Sequence, residues 1–327
     1  MKVAALLLGR DLSLRLGERE LGEPAAGQAL VRVEWAGVCG SDLHVLRTGD
    51  WVSYWPATLG HEVAGVVEAC PGGELAPGTR VVVDSRVGCG TCEGCSRSPQ
   101  LCERLAWVGE AFPGGFASQL LISASALVAC PPDLEPAIAV LAEPLAVAMH
   151  AAGHAAADPG RALVIGYGPV GALVHLELTR RFPRCEVAVR EPDPARRGLA
   201  EALGARIVPA GEETARWPLV VDAAGYPGSL PDAISQASKG GLVVLVALGH
   251  ATVTLDPAAL VEQGLTVAGS NGFAGELAAA VAALHAGPDR YRPVVTEALL
   301  LDEAPRRLPE LLTVPSTGKV VIRPWAG

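Results

Sequence analysis

Residues 161–191, RALVIGYGPVGALVHLELTRRFPRCEVAVRE, decide the fold of this chain. The apolar run Ala162–Ile165 has the length of a buried parallel strand, and the glycine pattern GYGPVG at 166–171 follows it directly. Apolar residues then recur at helical spacing over Val170–Leu178. A second apolar run, Val187–Val189, precedes Glu191, which lies twenty residues after the last glycine. A strand, a glycine turn, a helix and an acid in this order indicate a dinucleotide-binding βαβ unit.

Each glycine of this pattern has a separate task. Gly166 permits the tight turn, Gly168 lets the backbone approach a pyrophosphate, and Gly171 lets helix and strand pack closely. The start of the helix offers unpaired N–H groups and a partial positive charge to the phosphates. The carboxylate of Glu191 can bind both ribose hydroxyls. We therefore expect the cofactor to contact Gly166, Gly168, Pro169, Val170, Gly171, Glu191 and Arg196.

The acid also bears on which dinucleotide fits. A carboxylate at position 191 would repel a 2′-phosphate, which favours NAD over NADP. Arg190, Arg196 and Arg197 lie close by, and they could either bind such a phosphate or be solvated charges at a helix start. We expect NAD, with NADP as the less favoured alternative.

Length and charge exclude several classes of protein. At 327 residues the chain is long for one core, so two domains are expected. A net charge of −9, with acids and bases interspersed, argues against nucleic acid or an anionic membrane as partner. No apolar run approaches the length of a membrane span, and the N-terminal apolar run is too short for a signal peptide. We expect a cytoplasmic protein.

Two short motifs in the first third of the chain offer metal ligands. Cys39, His61 and Glu62 supply a thiolate, an imidazole and a carboxylate, all of which bind zinc, and three protein ligands are typical of catalytic zinc. A buried cysteine and a half-exposed histidine on β-structure would give the same sequence. Glu143, just before Pro144 in an Ala-rich helical stretch, either pairs with a cation or metal or is an ordinary exposed acid.

Four further cysteines crowd into one loop. The segment 88–102, GCGTCEGCSRSPQLC, is too polar and glycine-rich to bury them, and their spacing fits a closed zinc site with four thiolates. Disulfides are the alternative, but they are rare in a reducing compartment. A nucleic-acid-binding zinc ribbon is another, but no basic stripe accompanies the loop. We expect a structural zinc on Cys89, Cys92, Cys95 and Cys102.

Together these motifs resemble the zinc-dependent medium-chain alcohol and polyol dehydrogenases, in particular the sorbitol- and threonine-dehydrogenase-like branch. The resemblance covers nearly the whole chain in the family's order: residues 37–44, GHE at 60–62, the cysteine loop at 89–102, Glu143-Pro144, the glycines at 166–171 and GKVVI at 318–322. It implies an α/β protein with a GroES-like β-rich catalytic domain, 1–145 and 286–327. A doubly wound parallel (Rossmann) nucleotide domain, 146–285, would be inserted in it.

The resemblance also implies the roles of the site residues. Cys39 and His61 would hold the catalytic zinc, with Glu62 and Glu143 as ligands directly or through water. Ser41 would accept the alcohol proton and His44 would pass it to solvent, although a turn residue and a surface histidine are the plainer interpretations. One departure concerns the cysteine loop: six residues separate Cys95 from Cys102 where the family usually has seven. This leaves open whether the loop holds its zinc.

The implied reaction is hydride transfer between a secondary alcohol and NAD, on a polyol, sugar-like or amino-alcohol substrate. One alternative is an NADPH-dependent ketone reductase in a biosynthetic pathway. The other is a non-catalytic nucleotide-binding protein of the same fold, which the combination of Cys39, Ser41, His61 and Glu62 argues against. The family usually forms dimers or tetramers by pairing edge strands, so we expect a homodimer or homotetramer through Leu265–Gly269.

Overall fold

The computed structural model describes residues 1–209, 216–249 and 252–325. Their contacts group the chain into two compact units, Met1–Glu143 with Leu277–Gly327, and Pro144–Glu276. The expected domain limits at 145/146 and 285/286 remain a prediction. Within the contact grouping, the helix Leu277–Ala286 belongs to the first unit.

The strands follow the alternation of apolar and polar residues seen in the sequence. They are β1 (Lys2–Leu8), β2 (Leu14–Glu20), β3 (Gln28–Gly37), β4 (Glu62–Ala69), β5 (Arg80–Val83), β6 (Arg86–Val87), β7 (Ala106–Trp107), β8 (Gln119–Ser123), β9 (Leu127–Ala129), β10 (Arg161–Ile165), β11 (Glu186–Arg190), β12 (Arg206–Ile207), β13 (Trp217–Asp222), β14 (Ala237–Leu245), β15 (Thr266–Gly269), β16 (Val295–Leu300) and β17 (Lys319–Arg323).

Helices separate these strands, mainly in the second unit. They are α1 (Gly40–Thr48), α2 (Glu93–Arg97), α3 (Pro136–Ala139), α4 (Ala142–Gly153), α5 (Pro169–Arg181), α6 (Pro194–Ala202), α7 (Ser229–Gln236), α8 (Pro257–Gln263), α9 (Leu277–Ala286), α10 (Pro288–Tyr291) and α11 (Ala304–Glu310). Short 3-10 turns cover Pro99–Leu101, Ala124–Ala126 and Arg292–Val294.

The first unit is built on a mainly antiparallel sheet in the order β16-β17-β3-β4-β5-β9, with β8 also paired to β3. Val31, Val33 and Phe116 are among the side chains fully buried in its core. The register pairs Gly37, at the end of β3, with Glu62, at the start of β4. This pairing brings the segment after β3, which holds Cys39, beside His61 and Glu62. Sheet register alone therefore joins two motifs that are far apart in the sequence.

The second unit carries a parallel sheet in the order β12-β11-β10-β13-β14-β15. This is the doubly wound order in which the first strand of the unit lies at the centre. Strand β10 pairs in parallel with β11 on one side and with β13 on the other. The strands that follow β10 are therefore added first on one side of it and then on the other. The loop at the carboxyl end of such a strand is where doubly wound sheets bind ligands. That loop is the glycine pattern at 166–171.

Two strands have other limits than the apolar runs of the sequence predict. The run Phe116–Ile122 predicts one strand, but β8 begins only at Gln119. The preceding residues bond to other segments instead: the Phe116 N–H group donates to the Leu59 carbonyl, and the Phe116 carbonyl accepts a hydrogen bond from Leu6 N–H. The apolar run Leu242–Leu248 likewise predicts a strand, but β14 begins earlier, at Ala237, and ends at Leu245. Strand β14 is longer at its start because Ala237 pairs with Trp217 of β13, on the far side of a register shift between Trp217 and Leu219.

The Ala-rich stretch that starts at Pro136 is broken before Pro144 rather than at it. Helix α3 ends at Ala139, and α4 starts at Ala142, so Pro144 lies in the first turn of α4, where its missing N–H costs nothing. Contrary to expectation, residues 136–153 do pass the length and composition test for a membrane span, with a mean hydropathy of 1.4. Since 72% of this segment is buried inside the protein, it has the character of a core helix.

Candidate functional site

One predicted metal cluster forms at the ends of β3 and β4. Ligand atoms of Cys39, His61 and Glu62 all lie within 4.8 Å of one another. His61 and Glu62 are buried, with 7% and 1% of their surfaces exposed, whereas Cys39 is half-buried. A thiolate, an imidazole and a carboxylate at this spacing suit zinc, and three ligands leave one coordination position for another group. The donor set therefore fits a catalytic zinc ion.

Asp42 fixes both halves of this cluster. Its Oδ2 accepts a hydrogen bond from Cys39 N–H at 2.9 Å, and its Oδ1 accepts one from Gly60 N–H at 3.0 Å. The same Oδ1 lies 3.8 Å from His61 Nδ1. Burial raises the pKa of Asp42, and the charge on His61 opposes that shift. The acid thus orients the histidine and connects α1 to the segment before β4.

The electrostatic field of the cluster is dominated by acids. Burial works to lower the pKa of His61, but Asp42 and Cys39 outweigh it, so the pKa is raised well above its usual value. A site that holds a proton on the histidine this strongly also favours a divalent cation in its place, because both are positive charges among acids.

Glu143 is buried, which excludes the interpretation as an ordinary exposed acid. Only 5% of its surface is exposed, and its Oε1 accepts a hydrogen bond from Ser85 Oγ at 2.8 Å. Burial raises its pKa, partly offset by the charge on His61. Its oxygens do not belong to the group of mutually close ligand atoms. A direct or water-mediated contact of Glu143 with a metal remains a prediction.

Lys319, for which the sequence predicted no role, borders the cluster. Lys319 Nζ lies 2.5 Å from Glu62 Oε1 and donates to the Val38 carbonyl at 3.1 Å. Only 1% of its surface is exposed. Burial works to lower its pKa, but Glu62 and Cys39 outweigh this and raise it. A cation thus faces the acidic ligands from the side of β17.

Ser41 and His44 lie three residues apart on α1, which begins directly after Cys39. At this spacing the two side chains share one face of the helix. The ring of His44 stacks on Trp51 at 4.2 Å between centroids, and its Nε2 lies 3.6 Å from Asp50 Oδ2. The placement is compatible with a proton path from Ser41 to His44, which remains a prediction.

The four loop cysteines form a second cluster, here called the cysteine cluster. Ligand sulfurs of Cys89, Cys92, Cys95 and Cys102 lie within 4.8 Å of one another, and all eight cysteines of the chain are free thiols. Backbone N–H groups of Cys89 and Arg104 donate to Cys102 Sγ at 3.3 Å, and Cys95 N–H donates to Cys92 Sγ at 3.4 Å. The six-residue gap therefore does not prevent convergence, and the set fits a closed tetrahedral zinc site.

The thiols of the cysteine cluster differ in acidity. Hydrogen bonds from Thr91, whose hydroxyl lies 3.5 Å from the sulfur, and from Arg104 lower the pKa of Cys89 to about 5. Desolvation raises the pKa of Cys95 to about 11. At neutral pH the metal-free loop therefore already presents a thiolate, the form that binds metal.

The glycine pattern opens a cleft at the carboxyl end of β10. Gly166 has φ +87°, and a Cβ there would press on Ala224, while a Cβ on Gly171 would collide with the Gly166 carbonyl. Around Gly168 a Cβ would meet only the guanidinium of Arg196, at 4.0 Å, so this backbone faces the cleft as α5 begins. The cleft has a volume of about 960 Å³, which suits a dinucleotide moiety.

Glu191 lines this cleft and is 6% exposed. Its Oε2 accepts from Tyr167 N–H at 2.7 Å and its Oε1 from Asp193 N–H at 2.9 Å. Of the neighbouring arginines, Arg190 pairs with Asp232 at 2.7 Å, and Arg197 donates to the Glu191 carbonyl at 3.2 Å. Arg196 is the one of these three that faces Gly168.

Comparison with known proteins identifies the family. A family model described as the alcohol dehydrogenase GroES-like domain matches residues 25–132. The starvation-sensing protein RspB of Escherichia coli K12 is 31% identical over 276 residues, which cover 80% of this chain and 80% of RspB. This chain belongs to the zinc-dependent medium-chain alcohol and polyol dehydrogenases.

Two further relatives extend the match. The L-idonate 5-dehydrogenase (NAD(P)(+)) of the same strain is 28% identical over 286 residues, 82% of this chain and 83% of that protein. The crystal structure of the rspB alcohol dehydrogenase from E. coli CFT073, complexed with NADH, superposes with a TM-score of 0.91 at 26% identity. That superposition covers 98% of this chain and 99% of the other.

Membership of the medium-chain dehydrogenases confirms the resemblance and the expected fold class, a GroES-like part and a doubly wound parallel sheet. The structure also brings together most of the predicted site residues within their own units. Cys39, His61 and Glu62 converge, and so do the loop cysteines. Of the predicted cofactor contacts, Gly166, Gly168, Glu191 and Arg196 line one cleft, whereas Pro169, Val170 and Gly171 form the first turn of α5 and are not among its lining residues. Their individual roles remain predictions. Ser85 and Lys319 were missed as contributors, because each acts through a distant partner.

Proposed function

We propose that this protein is a zinc-dependent dehydrogenase that transfers a hydride between a secondary alcohol and NAD. The buried cluster of Cys39, His61 and Glu62 is the observation that carries the proposal. A mixed sulfur, nitrogen and oxygen set with an open position is typical of a zinc ion that acts on substrate. The dinucleotide cleft beside β10 supplies the second requirement, a place for the hydride acceptor.

In this proposal Cys39, His61 and Glu62 hold the zinc. A zinc ion so held polarises an alcohol oxygen and lowers the pKa of the hydroxyl. Asp42 fixes the orientation of His61, and Glu143 contributes a further carboxylate from α4. Ser41 accepts the proton that the alcohol releases and passes its own hydroxyl proton on toward His44, from which a proton leaves to solvent.

We propose NAD as the cofactor. Glu191 places a carboxylate in the cleft where a 2′-phosphate would have to bind, and like charges repel. Arg190 pairs with Asp232, and Arg197 donates to the Glu191 carbonyl. The binding of NADH by the rspB dehydrogenase supports this choice. Arg196 faces Gly168 and could bind a 2′-phosphate, so an NADPH-dependent reductase is the alternative.

The substrate we propose is a polyol, a sugar-like compound or an amino alcohol with a secondary hydroxyl. Support comes from the relatives, since an L-idonate 5-dehydrogenase oxidises one hydroxyl of a polyhydroxylated acid by its name. The Glu143-Pro144 pair and the polar ligand set point to the same substrate class through the family resemblance.

The cysteine cluster has a separate role in the proposal. Four thiolates close the coordination sphere of a zinc ion, so such a site stabilises a loop and takes no part in the chemistry. Free, closely spaced thiols also suit a reducing compartment, and on that basis we place the protein in the cytoplasm.

We propose a homodimer or homotetramer assembled through the second unit. Strand β15 is the edge of the parallel sheet, and an exposed edge is a template for pairing with another strand. Apolar side chains are exposed on and near it: Val267 by 37%, Leu248 by 70% and Val261 by 80%. Pairing of two such edges would cover them.

The experiment that tests the proposed function is nicotinamide absorbance with NAD and NADP in turn. The substrate panel contains polyols, sugar acids, simple secondary alcohols and L-threonine, and each positive reaction is repeated after chelation and after zinc is restored. The proposal expects turnover with NAD on one substrate class, lost on chelation and recovered with zinc. Turnover that survives complete removal of zinc, or cofactor binding without turnover on any secondary alcohol, would contradict it.

A further inference from the structure

The ion pair between Lys319 and Glu62 is buried on both sides. Each residue is 1% exposed, and Nζ and Oε1 lie 2.5 Å apart. Burial of two charges is costly, and it is tolerated when each has a partner at close range. The register explains how they meet: β17 lies antiparallel to β3, which in turn pairs Gly37 with Glu62. The sheet therefore places a lysine directly behind a proposed metal ligand.

The second carboxylate oxygen of Glu62, Oε2, differs from Oε1 in its hydrogen bonding. Among the described residues, no hydrogen-bond partner reaches Oε2, although this oxygen is fully buried. It lies across Gly37, where any Cβ would collide with it. A buried carboxylate oxygen without a donor loses its hydration without compensation. A metal ion between Glu62, Cys39 and His61 would compensate that loss, because ligand atoms of all three already lie within 4.8 Å.

We propose that Lys319 is a positioning residue that restricts Glu62 to one-oxygen, readily released coordination of the metal. The proposal rests on the proposed function, which supplies the metal. While Lys319 holds Oε1, that oxygen is not available to the metal, so Glu62 cannot bind through both oxygens. The lysine and the metal also compete for the same carboxylate. One coordination position therefore stays available for substrate, as catalytic zinc requires.

Replacement of Lys319 should tighten the metal site. In Lys319→Met both oxygens of Glu62 become available, because the buried carboxylate loses the ammonium group that held Oε1. We expect zinc release to an excess of a chromogenic chelator to slow by about tenfold or more, the scale on which groups around the ligands change metal affinity. In the cobalt-substituted protein, visible absorption should weaken because the coordination number rises. Lys319→Arg keeps a cation against Oε1 and should release zinc like the wild type.

A second pair of variants guards against a folding defect in Lys319→Met. In a Glu62→Gln background the carboxylate is gone, so Lys319→Met should leave zinc release unchanged from Glu62→Gln alone. Zinc release in Lys319→Met as fast as in the wild type, or a further effect of Lys319→Met in the Glu62→Gln background, would overturn the inference. If the wild type and Cys39→Ser hold the same amount of zinc, the proposed function itself fails, so the two failures are distinguishable.

Discussion

The two metal-ligand clusters of the first unit differ in nearly every physical respect. Cys39, His61 and Glu62 stand at the ends of two paired strands, where His61 and Glu62 are buried and Cys39 is half-buried, with acids and one lysine around them. The cysteine cluster sits on a short loop around α2, where three of its four thiols are half-buried. Its sulfurs accept hydrogen bonds from backbone N–H groups and, at Cys89, from the side chains of Thr91 and Arg104.

This difference indicates that the cluster of Cys39, His61 and Glu62 serves the reaction and that the cysteine cluster serves the stability of the fold. Four thiolates satisfy a tetrahedral zinc ion completely, whereas three unlike ligands leave a position for a substrate oxygen. The buried cluster is also surrounded by groups that tune it, Asp42 on one side and Lys319 on the other. The cysteine cluster has local hydrogen bonds only. We therefore expect damage to the first cluster to remove activity and damage to the second to remove stability.

The largest effect is expected from Cys39→Ser. Loss of this thiolate should lower kcat/KM by about a thousandfold or more, because metal polarisation of the substrate contributes several kcal/mol. Cofactor binding, measured by the fluorescence of bound NADH, should persist, and zinc content should fall by one equivalent. Cys70→Ser, at a buried free thiol outside both clusters, is the matched control and should keep its activity. Wild-type activity in Cys39→Ser would contradict the assignment of the reaction to this cluster.

Asp42→Asn should have the next largest effect. An asparagine offers one acceptor oxygen where Asp42 uses two, so either the Cys39 or the Gly60 contact is lost. Zinc affinity of the buried cluster should fall by about 10–100-fold, as measured by competition with a chelator. Asp50→Asn removes an exposed acid beside His44 and serves as control. Equal affinities for the wild type and Asp42→Asn would show that the acid does not position the ligands.

Cys95→Ser probes the other half of the comparison. The loop loses one of four ligands, and we expect a loss of at least about 2 kcal/mol, equivalent to about 4–8 °C in Tm for a unit of this size. At temperatures where the variant stays folded, kcat/KM should match the wild type. Differential scanning calorimetry and initial rates measure the two quantities on one preparation. A fall in kcat/KM with no change in Tm would reverse the assigned roles.

The smallest effect concerns acidity within the metal-free cysteine cluster. The pKa of Cys89, lowered to about 5 by Thr91 and Arg104, makes it a thiolate above that pH, whereas Cys95, with a pKa raised to about 11, remains a thiol. Iodoacetamide should therefore modify Cys89 first, with a midpoint near pH 5, as followed by mass spectrometry. Arg104→Ala should move that midpoint upward. Earlier modification of Cys95 would contradict the assignment.

Local patterns in the sequence predict much of this molecule. The glycines at 166–171 and the spacing of the loop cysteines each encode a site within a few residues, so geometry follows from short-range constraints. The convergence of Cys39 with His61 depends on sheet register, which the sequence suggested only through a family resemblance. The burial of Glu143 could not be read from its own segment, since Ser85, far away in the sequence, provides the hydrogen bond.

Lys319 marks the limit of sequence reasoning most clearly. A lysine at the start of the apolar run KVVI normally indicates a strand end in solvent, and burial of a cation is disfavoured without a partner. Its partner, Glu62, lies 257 residues earlier in the chain. The proline at 144 did not reveal the helix limits either: the break falls at Val140 and Leu141, both of them buried, and Pro144 lies within the first turn of the second helix.

The most direct test of the division between the clusters is a single time course of chelation. Released zinc is measured with a chromogenic chelator while residual NAD-dependent activity is sampled, in the wild type, in Cys39→Ser and in Cys95→Ser. The account predicts that the activity of the wild type falls at the rate at which zinc leaves the site of Cys39, His61 and Glu62, the zinc that Cys39→Ser lacks. Release of zinc from the cysteine cluster should leave the activity intact. Activity that follows the equivalent missing from Cys95→Ser, or that survives loss of both, would contradict it.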